Sequence, residues 1–74
     1  MEPDPEGSLK RILRHDVRTP LAVILGRCEL LTAELHGPMA AEQLAAVDAI
    51  MRNAQRIEDL MSRAVGLLVE EEAT

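Results

Sequence analysis

Apolar residues in this 74-residue chain recur at steps of three and four in two long runs, and a single Gly37-Pro38 pair divides the runs. The first run is Leu9, Ile12, Leu13, Val17, Leu21, Ile24, Cys28, Leu31 and Leu35; the second is Val47, Ile50, Ala54, Ile57, Met61, Ala64 and Leu68. Such spacing draws one stripe along a helix instead of marking alternate faces of a strand. The pattern predicts an all-α chain with a linker over 1–7, a first helix over about 8–36, a turn at 37–40 and a second helix over about 41–70. Asp4-Pro5 and Ser8 both carry start chemistry for the first helix. On the second, Asp48–Arg52 and Asp59–Arg63 lie four apart with the acid first, the favourable orientation.

Two helices of that length, each ~45 Å long at 1.5 Å per residue, make an antiparallel hairpin. Phe, Tyr and Trp are all absent, so the core must come from Leu, Ile, Val, Met and Ala, which suits helix-on-helix packing. A lone hairpin leaves half of its apolar surface wet. Pairing two copies about a two-fold axis buries it in a homodimeric four-helix bundle. Cys28 is the one cysteine, which excludes an internal disulfide; its place on the apolar stripe predicts a buried, inert thiol.

The net charge of −5 argues against general nucleic-acid binding. No apolar run reaches the ~18 residues that cross a bilayer, and the start MEPDPEGS lacks the basic head of a signal peptide. The expectation is a cytoplasmic piece without direct membrane insertion, whose parent protein is either soluble or membrane-bound. His15 and His36 lie ~31 Å apart along a helix and cannot share a metal, so no metal site is expected.

One stretch disturbs the first helix. HDVRTP, residues 15–20, places Pro20 where a helix needs an N–H, at a cost of roughly 3 kcal/mol, and should bend the helix there. On a 100° wheel His15 lies about 170° from the centre of the apolar stripe, near Leu13, Ile24 and Leu31, and so faces solvent. Arg11 and Arg18 flank it with positive charge, within a basic cluster that also holds Lys10 and Arg14. Ala22 and Gly26 follow on the same outer face, and their small side chains leave room for another macromolecule. Asp16 can fix the tautomer of a neighbouring imidazole and leave a ring nitrogen free to attack. Singly, each feature is ordinary surface; an exposed histidine beside an acid is usually a solvated pair. Together they point to chemistry at His15.

HDVRTPL closely resembles the H-box of two-component sensor histidine kinases, His-Glu/Asp-x-x-Thr/Asn-Pro followed by an apolar residue. The resemblance runs from about Leu9 to Leu68, because the dimerisation and histidine-phosphotransfer domain of that family is the same hairpin paired into a four-helix bundle. It implies that His15 is the phosphoacceptor, that Asp16 orients the imidazole or takes its proton, and that Thr19 positions a water for dephosphorylation. Pro20 matches the helix-bending proline. It further implies a separate lobe that binds ATP and magnesium, which this chain lacks, and a response regulator receiver domain as the phosphoryl recipient. Arg11 and Arg18 would steady phosphate charge. The receiver would dock over Ala22 and Gly26 by geometry, and by family analogy over Val23, Arg27 and Leu30. The chain then reads as an excised domain, inactive as a kinase by itself. The competing reading is a non-catalytic dimerisation hairpin, or a stand-alone phosphotransfer protein.

Overall fold

The computed structural model of the chain describes residues 5–73, with side chains over 7–71. Among these residues the structure is helical and contains no strand. The first arm is α1 (Pro5–Arg11), a π-helical turn (Ile12–Asp16) and α2 (Arg18–Thr32); the second arm is α3 (Ala41–Ala73). The arms pack antiparallel along their length, so the predicted hairpin is the observed architecture.

Several boundaries differ from the expectation. Pro5–Gly7, assigned to the linker, form the start of α1. Proline suits a first helical turn because its φ is already set there and its missing N–H goes unused. Positions 1–4 of that linker lie outside the described residues. The first arm also stops at Thr32, four residues before the expected end at 36. The stop is a left-handed cap one turn ahead of the glycine: Glu34 takes φ 59°, Leu35 N–H reaches back to the Leu30 carbonyl at 3.2 Å, and Glu34 N–H bonds Leu31 at 3.0 Å. Those paired bonds satisfy the last carbonyls of α2. Gly37, at φ 119°, then turns the chain toward α3.

Both sides of the turn are tied by side chains. Glu34 Oε1 accepts from the Met39 N–H at 3.1 Å, and Gln43 Oε1 accepts from the Ala40 N–H at 2.9 Å, half of a capping box for α3. Farther along α3, Asp48 and Arg52 pair at 3.1 Å, whereas no ion pair joins Asp59 and Arg63 among the described residues. An exposed pair gains little over hydration, so its closure is easily lost.

The seam between the arms is narrow. Leu21, Ala54 and Met61 form its centre, with Leu13, Val17 and Leu25 packed against them. Cys28 and Val47 extend it toward the turn, and the cysteine is buried as expected. Ile24, placed near the centre of the stripe by its periodicity, is instead 41 % exposed, and Leu25 takes the inward position. Ile50 (51 %) and Ile57 (44 %) are likewise on a flank of the seam. The molecule measures 53 × 23 × 13 Å, and its radius of gyration of 16.7 Å exceeds the ~11 Å of a compact chain of this length. A body one helix thick has no interior to hide those isoleucines.

The left-handed Glu34 generates a test. Glu34→Ala keeps the strained φ and loses the bond to Met39, so it should lower stability by about 1 kcal/mol. Glu34→Gly loses the same bond but relieves a left-handed strain of about 1 kcal/mol, and should be close to neutral. Urea denaturation of the two variants side by side distinguishes them; equal losses would mean that the cap is not carried by residue 34.

Candidate functional site

Pro20 organises the local backbone around the histidine. It has no N–H for the Asp16 carbonyl, and its ring crowds that carbonyl. The helix widens just upstream, where Val17 N–H bonds the Ile12 carbonyl at 2.9 Å, five residues back. Just beyond the proline the Leu21 N–H to Val17 carbonyl bond is stretched to 3.4 Å. His15 and Asp16 both lie inside the wide turn. π-turns of this kind carry one residue more than the α-helix around them.

The extra residue changes where His15 sits. The imidazole is exposed, as its position on the wheel predicts. It is not, however, opposite the second arm. His15 lines a groove between the arms with Leu13, Arg14, Arg18, Met61, Ser62 and Val65. A second concavity, on its other side, is lined by Gly7, Lys10, Arg11, Arg14 and Asp16 together with His15. Two hollows therefore meet at the histidine, and both are edged by cations.

The sequence-predicted residues divide between these hollows. Arg18 belongs to the interhelical groove, where its Nη2 donates to Ser62 Oγ at 3.4 Å. Arg11 belongs to the opposite concavity, beside Asp16. No hydrogen bond joins Asp16 to His15 among the described residues. Thr19 is exposed one turn beyond the histidine, and its Oγ1 donates to the His15 carbonyl at 3.0 Å. That bond supplies an acceptor oxygen with a donor next to the proline, where backbone N–H groups are short.

Sequence reasoning passed over two residues. Arg14 lines both hollows, yet nothing in the motif marks it apart from its neighbours in the basic cluster. Ser62 lies 44 positions from Arg18, and only the pairing of the arms brings it to the site.

Farther along α2, Val23, Gly26, Arg27 and Leu30 line one shallow concavity with Glu29. Val23 is 57 % exposed. A β-carbon added at Gly26 would meet nothing within 4 Å, so the small residue there is not required by packing inside the hairpin. Ala22 is exposed beside this hollow without lining it. Among the described residues no cluster of His, Cys, Asp or Glu could hold a metal ion, and no helix is long and apolar enough to cross a membrane.

In the comparison with protein families, the His Kinase A (phospho-acceptor) domain matches residues 8–65. That span covers α2, the π-turn and most of α3, including His15 and Thr19. Neither the curated proteins nor the solved structures contain a significant match.

Replacing the proline tests the origin of the wide turn. Pro20→Ala returns an N–H for the Asp16 carbonyl and removes the ring, so stability should rise by about 1–3 kcal/mol. The Val17 amide should then shift its bond from the Ile12 to the Leu13 carbonyl, which scalar coupling across the hydrogen bond reads directly. A Val17 amide still coupled to Ile12 would remove Pro20 as the cause.

Proposed function

The chain belongs to the His kinase A phospho-acceptor domain family, and from that premise we propose that His15 is the residue phosphorylated. The observation that carries this reading is an exposed imidazole inside a proline-widened helical turn, with open hollows edged by arginine on either side. A separate catalytic lobe would bring ATP and magnesium. An unprotonated ring nitrogen of His15 attacks the γ-phosphorus, the bond to the bridging oxygen breaks, and ADP leaves. The proton on the other ring nitrogen passes to the Asp16 carboxylate once the approaching lobe closes the gap between them. Phosphoryl transfer of this kind asks the protein for positioning and charge stabilisation. Arg11, Arg14 and Arg18 offer that charge from both hollows.

The second half-reaction moves the group to a receiver domain of a response regulator. Its aspartate oxygen forms a new bond to phosphorus, the N–P bond breaks, and the proton held by Asp16 returns to the ring, leaving His15 a neutral imidazole. The concavity of Val23, Gly26, Arg27 and Leu30, with exposed Ala22 beside it, supports docking along α2 within reach of the histidine. Thr19 serves the reverse signal. Because its hydroxyl hydrogen is already given to the His15 carbonyl, its oxygen can only accept, which suits it to hold a water by one hydrogen and aim the lone pairs at a phosphoaspartate.

The hairpin works as a homodimer. Ile24, Ile50 and Ile57 lie along one apolar hollow with Leu21, Ala49, Asn53 and Ala54, on a body too thin to cover them. A second copy related by a two-fold axis supplies the missing layer and closes a four-helix bundle. The sequence-level alternative, a hairpin that only dimerises, uses this same face and leaves His15 without work.

Two experiments decide between these readings. With a catalytic lobe, ATP and magnesium, the parent chain should acquire acid-labile, base-stable phosphate and His15→Ala should acquire none; equal labelling ends the assignment. Thr19→Ala should retain His15 labelling while slowing receiver dephosphorylation by about 10-fold or more, the scale of a lost water-orienting group. Independently, Ile57→Asp places a charge in the dimer seam and should convert a dimer into a monomer in sedimentation equilibrium. A parent chain that is a folded monomer at micromolar concentration would contradict the bundle.

A further inference from the structure

We propose that Ser62, on α3, is a positioning residue for phosphohistidine: its hydroxyl holds the Arg18 guanidinium over the interhelical groove, where a phosphoryl group on His15 is stabilised between Arg18 and Arg14. The inference rests on the phosphoacceptor reading of His15 and adds the second arm to the site. Its basis is the groove itself, whose lining joins His15, Arg14 and Arg18 of the first arm to Ser62 of the second. Its floor is apolar, formed by Leu13, Met61 and Val65, and excludes water from one side of any charge pair lodged there.

Arg18 spans from one arm to the other to meet Ser62 at 3.4 Å, near the outer limit of a hydrogen bond. So loose a bond between exposed groups adds little stability. It does restrict a long side chain that would otherwise sample many rotamers, and it does so before any phosphate arrives. When His15 carries a phosphoryl group, the guanidinium can exchange the neutral hydroxyl for a charged oxygen, a shorter and stronger bond. Arg14, on the rim of both hollows, closes the cradle from the other side.

The test is made on the full chain in a His36→Asn background, so that His15 is the one imidazole. Phosphoramidate is the phosphoryl donor: its own N–P bond breaks, the imidazole N–P bond forms, and ammonium leaves with the displaced proton. Phosphorus NMR then follows the decay of phosphohistidine. Ser62→Ala should shorten its half-life about threefold, the scale of one modest hydrogen bond, and Ser62→Thr should restore it. Because Ser62 acts through Arg18, Ser62→Ala should change nothing further in an Arg18→Ala background. Equal half-lives for the parent and Ser62→Ala, or losses from the two sites that simply add, would overturn the proposal. Circular dichroism of each variant separates a lost contact from a lost fold. Phosphoramidate requires no catalytic lobe, so a chain that takes phosphate from it but none from ATP supplied together with a catalytic lobe would retire the kinase reading alone.

Discussion

A proline ring and the carbonyl four residues before it cannot share the space that a regular helix gives them. Around Pro20 the backbone resolves this conflict by opening the preceding turn, and the functional region is built inside the opening. The wide turn holds His15, leaves the Asp16 carbonyl without its helical donor and brings Thr19 Oγ1 onto the His15 carbonyl. The wide turn and the donorless Asp16 carbonyl would be absent from an uninterrupted α-helix, whereas the Thr19 bond to the carbonyl four residues back is one that such helices also make. The energetic cost of the proline is thus located where the chemistry is proposed, a common arrangement for strained backbone at working sites.

A second constraint is thickness. Two helices side by side have one seam, and the seam takes Leu21, Ala54 and Met61 while leaving Ile24, Ile50 and Ile57 along its edge. The absence of aromatic residues sharpens the problem, since no large ring can fold over a flank and shield it. Dimerisation and the phosphoacceptor role are therefore joined through geometry. The apolar hollow of Ile24, Ile50 and Ile57 shares no lining residue with the hollows around His15, so the proposed bundle can close over the first without using the residues of the others.

Periodicity made the two helices, the turn and the heptad-like seam of α3 legible, because burial repeats with the helical pitch wherever the pitch is regular. It failed where the pitch changes. A wheel of 100° per residue set His15 directly opposite the core, but the π-turn adds a residue, and His15 lines one groove together with Met61, Ser62 and Val65. The same rigid projection favoured Ile24 over Leu25 as the inward residue. The end of the first arm was misplaced for another reason: Gly37-Pro38 is the strongest turn signal, yet Glu34, which composition does not favour for a left-handed cap, stops the helix first. The motif residues were readable because their order along one helix carries the signal. Ser62 was not, because its meaning depends on a contact across 44 residues.

That contact alters how the site divides between the arms. If His15 stood opposite the second helix, the second helix would be scaffold, and every charge near the phosphate would come from the first. Instead the imidazole sits on the lip of an interhelical groove, and whatever moves α3 relative to the π-turn moves Ser62 relative to Arg18. On the proposed role of Ser62, a change in the packing of the arms would reach a phosphoryl group on His15 through a single side chain, with no rearrangement of the motif itself. The hairpin's thin seam makes such movement inexpensive, since few buried contacts hold the arms in one register. Stability of the phosphorylated state and packing of the bundle are in this way two readings of one geometry.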